Sequence, residues 1–76
     1  MEYSRIVKDS NFSNISVIGK VVDLFKQYKS VNISSNMGNI NVFYEGVPPE
    51  VGVMYYFMIC QFKNKNISII KDFIKV

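Results

Sequence analysis

The hydrophobic residues of this chain are most crowded between Ile15 and Phe25, in the run Ile-Ser-Val-Ile-Gly-Lys-Val-Val-Asp-Leu-Phe. They are too closely spaced for a one-sided helix, and β-branched side chains dominate the run. Gly19 lies in its middle, where a strand can bend sharply. We therefore predict a long, curled first strand that pairs with different neighbours along its two halves, as a small closed β-barrel requires.

The two faces of this first strand follow from the alternation of its residues. Val17, Gly19 and Val21 should face the interior of the barrel, because side chains of a strand point alternately to its two sides. Ile18 and Val22 should then point outward. The outer side of the strand would therefore carry apolar surface.

Four further strands are predicted, at residues 30–34, 40–44, 53–62 and 67–76. In the first of them, Val31 and Ile33 should face inward. The side chains expected to face outward there are those of Ser30, Asn32 and Ser34. Gly38 or Asn36 can take the positive φ that the turn of a hairpin into the next strand needs. Pro48 and Pro49 lack backbone N–H donors, so they predict a crossover with room for one helical turn.

In the run from Val53 to Phe62, the odd-numbered and the even-numbered residues are both mostly apolar, so a strand there has two apolar faces. We expect one face to be buried, formed by Met54, Tyr56, Met58, Cys60 and Phe62. The other face would join the outward residues of the first strand in an exposed apolar patch, a candidate partner surface. That patch consists of Ile18, Val22, Tyr55, Phe57 and Ile59. The alternative is that residues 1–14 cover it.

Five strands in this order, with the longest connection after the third, predict an all-β, five-stranded Greek-key OB-fold barrel. An SH3-like barrel is the alternative, although its long connections usually come early. We expect a single OB-fold domain over residues 1–76, with a lead-in segment at 1–14 and the barrel at 15–76. No helix is expected after the barrel.

Composition is consistent with a small globular domain that has more apolar side chains than its core can bury. Apolar residues make up 49% of the 76 residues, with five Tyr and six Phe, which is more than so small a core can hide. The net charge of +3 permits binding to a polyanion. Cys60 cannot form an internal disulfide and is expected to be a small buried hydrophobe. Without a signal peptide or a membrane-spanning run, the chain is expected to be intracellular and soluble.

Several features of the chain occur together: the apolar residues Ile6, Val7 and Phe12, the run 17–21, Gly38, and the run 49–52 before the tyrosine-rich fourth strand. In these features the sequence resembles the smallest subunit of replication protein A, the heterotrimer that binds single-stranded DNA. The small subunit of the related telomere-capping trimer is similar too. The resemblance implies a nuclear protein of DNA replication, repair and recombination.

The same resemblance implies its partners, which are the larger OB-fold subunits and single-stranded DNA, contacted directly or through the complex. In that family a helix after the barrel builds the trimer core. Because residues 1–76 predict no such helix, that mode of assembly is not carried over, and the apolar patch becomes the leading candidate interface. A homodimer through this patch is left open.

Catalysis is not expected. The chain has no His, its one Cys has apolar neighbours, and the six carboxylates are scattered along the sequence. It also lacks a cluster of metal ligands and a glycine loop that could cradle a phosphate. We therefore expect that the chain is not an enzyme and that it binds no cofactor and no metal.

A nucleic-acid interface is the other candidate site. OB-folds bind ligands on strands two and three and on the loops between strands one and two and strands four and five. The candidate residues there are Lys26, Tyr28, Lys29, Asn32, Asn41, Phe43, Lys63 and Lys65. Lysines would neutralise phosphates, and exposed rings would stack on bases. The alternative is that these lysines only keep the protein soluble.

Two hypotheses follow for the function. The first is a structural and assembly subunit of a replication protein A-like complex. The second is an autonomous module that binds single-stranded DNA or RNA.

Overall fold

The computed structural model describes residues 12–62 and 65–76, in which five strands account for all of the regular structure. The strands are β1 (Phe12–Phe25), β2 (Ser30–Ser35), β3 (Gly38–Phe43), β4 (Met54–Phe62) and β5 (Ile67–Lys75). The all-β prediction with five strands is confirmed. Within the described ranges there is no helix, and the connection at residues 44–53 contains no helical turn.

β1 pairs with two different strands, as its sequence predicts. Its first part, from Phe12 to Lys20, pairs antiparallel with β4. Its second part, from Gly19 to Phe25, pairs antiparallel with β2. Gly19 and Lys20 belong to both ladders, so the strand changes neighbours at its glycine and the residue after it.

The sheet closes on itself in the order β1-β2-β3-β5-β4. All neighbouring strands are antiparallel except β3 and β5, which run parallel through the pair Phe43 and Ile69. This short parallel ladder closes the ring opposite β1. All five strands therefore line one interior.

The interior is filled by aliphatic side chains from β1, β2 and β3 and by aromatic and aliphatic ones from β4. The buried apolar residues are Val17, Val21, Val31, Ile33, Val42, Tyr44, Tyr55, Phe57, Ile59 and Ile70. The inward orientation predicted for β1 and β2 is confirmed. The ring of Tyr55 meets that of Phe73 edge-on at 5.2 Å between centroids.

The predicted inner face of β4 is wrong, except that Cys60 is buried as predicted. Tyr55, Phe57 and Ile59 lie in the core, whereas Met54 and Tyr56 are exposed on the outer face. The alternation could not separate the two faces, because both are apolar. Valines on β1, β2 and β3 leave an interior that wide aromatic rings on β4 are needed to fill. The predicted patch therefore loses its three members from β4.

The connection from β3 to β4 is held against β1 and β4 by backbone and side-chain hydrogen bonds. The Gly52 N–H donates to the carbonyl oxygen of Val21 at 2.8 Å. The Glu50 N–H donates to the hydroxyl oxygen of Tyr55 at 3.0 Å. Pro49 is fully buried. This connection thus seals one end of the core.

Candidate nucleic-acid interface

A bulge in β1 decides which side chains reach the outer face near its end. Val21 pairs with Ile33, but the next pair is Asp23 with Asn32, so Val22 is an extra residue in β1. Such an extra residue reverses the alternation that follows it. Asp23 therefore points outward instead of inward.

The same reversal brings Phe25 to the outer face. Phe25 pairs with Ser30, and Ser30 pairs in turn with Phe43, so the two rings flank the serine from both sides. Ser30 faces outward, as predicted, but it is buried rather than exposed. The rings of Phe25 and Phe43 on the neighbouring strands cover its side chain.

These residues line one open cleft. Its volume is about 340 Å³, and its lining residues are Phe25, Tyr28, Ser30, Asn41 and Phe43. The three aromatic side chains remain substantially exposed, at 39% for Phe25, 65% for Tyr28 and 37% for Phe43. The cleft thus presents three rings to the solvent over a small polar floor.

Tyr28 is carried by a tight turn between β1 and β2. The Tyr28 N–H donates to the carbonyl oxygen of Phe25, and the Lys29 N–H to that of Lys26, each at 3.2 Å. Lys29 takes a left-handed backbone with φ of 53°. Its carbonyl oxygen accepts a 2.9 Å hydrogen bond from the Tyr44 N–H, just after β3. The turn is therefore tied to the strand that carries Phe43.

A pair of carboxamides extends the cleft along β2 and β3. Asn32 and Asn41 pair across the two strands. The Asn41 Nδ2 group donates to Oδ1 of Asn32 at 2.7 Å and to the carbonyl oxygen of Val31 at 3.3 Å. Since both N–H bonds of Asn41 are used, its Oδ1 and the Nδ2 group of Asn32 are left for a ligand.

The charges around the cleft are unevenly distributed. Lys26 and Lys29 are exposed in the turn beside Tyr28. Asp23 is exposed on the outer face, opposite Asn32. An anionic ligand would be attracted at the turn and repelled at Asp23.

Most of the predicted nucleic-acid residues come together on this face. Tyr28, Asn32, Asn41 and Phe43 lie at the cleft or beside it, and Lys26 and Lys29 lie in the adjoining turn. Lys65 is exposed in the turn before β5 and does not line the cleft. Lys63 lies outside the described residues. Sequence reasoning missed Phe25, although the charged Asp23 at a position that alternation assigns to the interior was a signal of the bulge.

The predicted partner surface survives only in part. Ile18 and Val22 are exposed, as expected. Tyr55, Phe57 and Ile59 are core residues and cannot contact a partner. The exposed apolar residue of β4 nearest to Ile18 is its direct cross-strand neighbour, Tyr56.

Residues 12–62 and 65–76 contain no group of three or more His, Cys, Asp or Glu that could hold a metal ion. In that part of the chain there is also no helix long and apolar enough to cross a membrane. No family model, curated protein or solved structure matches the chain.

Proposed function

We propose that the chain is a small OB-fold barrel that binds single-stranded nucleic acid, as a subunit of a complex of the replication protein A kind. The OB-fold assignment is supported by the five-stranded ring, by a long first strand shared between two neighbours, and by the position of the longest connection, after β3. An SH3-like barrel, with its long connections early in the chain, fits this order less well.

The observation that carries the proposal is the cluster of Phe25, Tyr28 and Phe43 around one cleft. It occupies the face of β2 and β3 and the turn between β1 and β2, where OB-folds bind their ligands. Each base stacked on an aromatic side chain contributes about 1 to 3 kcal/mol. Three aromatic rings exposed to solvent on a small protein form an apolar surface that a ligand would cover.

The charges around the cleft give the ligand a direction. Lys26 and Lys29 neutralise phosphates at the turn, whereas Asp23 keeps phosphates away from Asn32. The bases then lie over the rings and the carboxamide pair, with the phosphates on the side of the turn. Asn32 and Asn41 offer one donor group and one acceptor to a base edge.

Titration of the full chain with a fluorescent oligonucleotide tests this proposal. A single strand of roughly 16 nucleotides, as DNA and as RNA, covers the site sizes known for OB-folds. At low salt we expect binding, which Phe25→Ala and Phe43→Ala each weaken by roughly 5- to 150-fold. Met37→Ala is the matched control, because Met37 is exposed in the turn between β2 and β3, away from the cleft. Absence of binding at low salt contradicts the proposal.

The salt dependence tests the role of the charges. Lys26→Ala and Lys29→Ala should each reduce the slope of log K against log salt by about 0.7, the value for one phosphate contact to a single strand. Asp23→Asn should strengthen binding, because it removes a repulsive charge next to the ligand. If the slope is unchanged in both lysine variants, the lysines serve solubility alone.

The second candidate function is the assembly role in such a complex, in which the chain docks on a larger OB-fold subunit in the nucleus. It is favoured by exposed apolar residues on β1 and β4, namely Ile18, Val22 and Tyr56. Co-expression with the larger subunits of a replication protein A or a telomere-capping complex tests it. Tyr56→Glu should abolish the complex and leave the fold intact. If no complex forms with either set, this role is excluded.

A further inference from the structure

An apolar row crosses the outer face of β1, β4 and β5. Ile18 of β1 pairs with Tyr56 of β4, which pairs with Ile74 of β5. All three point outward, with exposed fractions of 48% for Ile18, 38% for Tyr56 and 56% for Ile74. Three large apolar side chains in one cross-strand row are typical of a surface that is covered by a partner.

Two residues of opposite charge lie diagonally across this face, one on each side of the row. On one side of the row, Lys20 of β1 pairs with Met54 of β4, which is exposed. On the other side, Asp72 of β5 pairs with Met58 of β4. Lys20 and Asp72 are both exposed, and within the described residues neither forms an ion pair. Tyr56 lies midway between the two charges.

This arrangement is complementary to itself. When two copies pack face to face, a two-fold axis lies between the two sheets. Suppose that this axis lies above Tyr56 and is perpendicular to the line from Lys20 to Asp72. Lys20 of each copy then lies over Asp72 of the other. The apolar rows of the two copies then cross above Tyr56, so the Tyr56 side chains of the two copies meet at the centre. A partner with a different charge pattern would gain no such double pairing.

We propose that the outer face of β1, β4 and β5 forms a homodimer, centred on Tyr56 and oriented by two pairs of Lys20 with Asp72. This assigns a second copy of the chain, in place of a larger OB-fold subunit, to the surface on which the assembly role rests, and it is independent of nucleic-acid binding. The face spans only three strands, so its area lies at or below the standard of about 800 Å² per partner. The dimer is therefore weak and forms only at high protein concentration.

Sedimentation equilibrium of the full chain, from about 10 μM to about 1 mM, covers the range in which a weak dimer of this size associates. Lys20→Glu places two carboxylates opposite each other, and Asp72→Lys places two ammonium groups opposite each other. Each variant alone should therefore dimerise at least about tenfold more weakly than the original chain. An equimolar mixture of the two variants restores both attractive pairs, so it should recover the original dimerisation.

Tyr56→Glu should abolish the dimer, and Lys65→Glu, the same charge change at an exposed lysine outside this face, should leave it intact. Circular dichroism on each variant establishes that the fold is retained. The proposal is overturned if the original chain is monomeric at about 1 mM, or if the mixture associates no better than either variant alone. A monomer that still binds a larger OB-fold subunit through Tyr56 overturns the homodimer and leaves the assembly role standing.

Discussion

A Cβ atom on Gly19 would lie 2.6 Å from Cγ2 of Ile33, closer than any real contact of that kind. It would also lie 2.8 Å from the carbonyl oxygen of Ser34. β1 therefore passes tightly over β2 at the residue where it exchanges β4 for β2. Glycine is needed there for lack of space, and the backbone of β2 cannot move aside as a flexible side chain would.

Gly19→Ala should lower the free energy of unfolding by about 1 to 3 kcal/mol, the usual cost of overpacking a core. Urea denaturation measures the change. Asn39→Ala, at an exposed position of β3, is the control and should shift stability by less than about 0.5 kcal/mol. An alanine variant as stable as the original would show that β1 and β2 are further apart than this contact requires.

Phe57→Ala should come close to unfolding the protein. Phe57 is fully buried, and its loss costs about 3 to 5 kcal/mol. A chain of this size is stable by only about 4 to 11 kcal/mol. Tyr56→Ala, one residue earlier on the outer face, should cost less than about 1 kcal/mol. Thermal unfolding followed by circular dichroism measures the loss of stability in each variant. Equal losses would contradict the assignment of Phe57 to the inner face of β4 and of Tyr56 to its outer face.

Tyr55→Phe should loosen the connection between β3 and β4. The variant loses the hydroxyl that accepts from the Glu50 N–H but keeps the edge-on contact with Phe73. We expect a loss of about 0.5 to 1.5 kcal/mol, the net value of one hydrogen bond. Hydrogen exchange of the Glu50 amide, measured by NMR, should be faster in the variant. Unchanged protection of that amide would mean that the bond does not hold the connection.

Lys29→Gly should raise the stability of the protein and lower its affinity for an oligonucleotide. Lys29 has φ of 53°, a left-handed conformation that glycine adopts without strain, so the variant should gain up to about 1 kcal/mol in stability. Its affinity for an oligonucleotide should fall, because a positive charge beside the cleft is lost.

Lys26→Gly is the matched variant, since it removes the same charge from the same turn without a left-handed backbone. It should lose about 0.5 to 1 kcal/mol through the added flexibility of the unfolded chain. Urea denaturation of both variants gives the comparison. Equal destabilisation would show that the backbone of Lys29 is not strained.

Much of the candidate site could be predicted from sequence because its residues obey simple rules. Asn32, Asn41 and Phe43 alternate with buried neighbours on β2 and β3, so their outward direction follows from a period of two. Tyr28 lies in a polar turn and could only be exposed. Phe25 could not be placed in the same way, because the direction of its side chain depends on the bulge at Val22.

The sequence by itself determined that the protein is all-β, that β1 is long and pairs with different neighbours on either side of Gly19, and which side chains face inward in β2 and in β1 as far as Val21. Alternation and a central glycine carry that information locally. Only the tertiary structure decided the parity of β4, because both of its faces are apolar and the choice depends on the volume left by the valines of β1, β2 and β3. It also decided the bulge, since an extra residue in one strand is defined only by its pairing with the next.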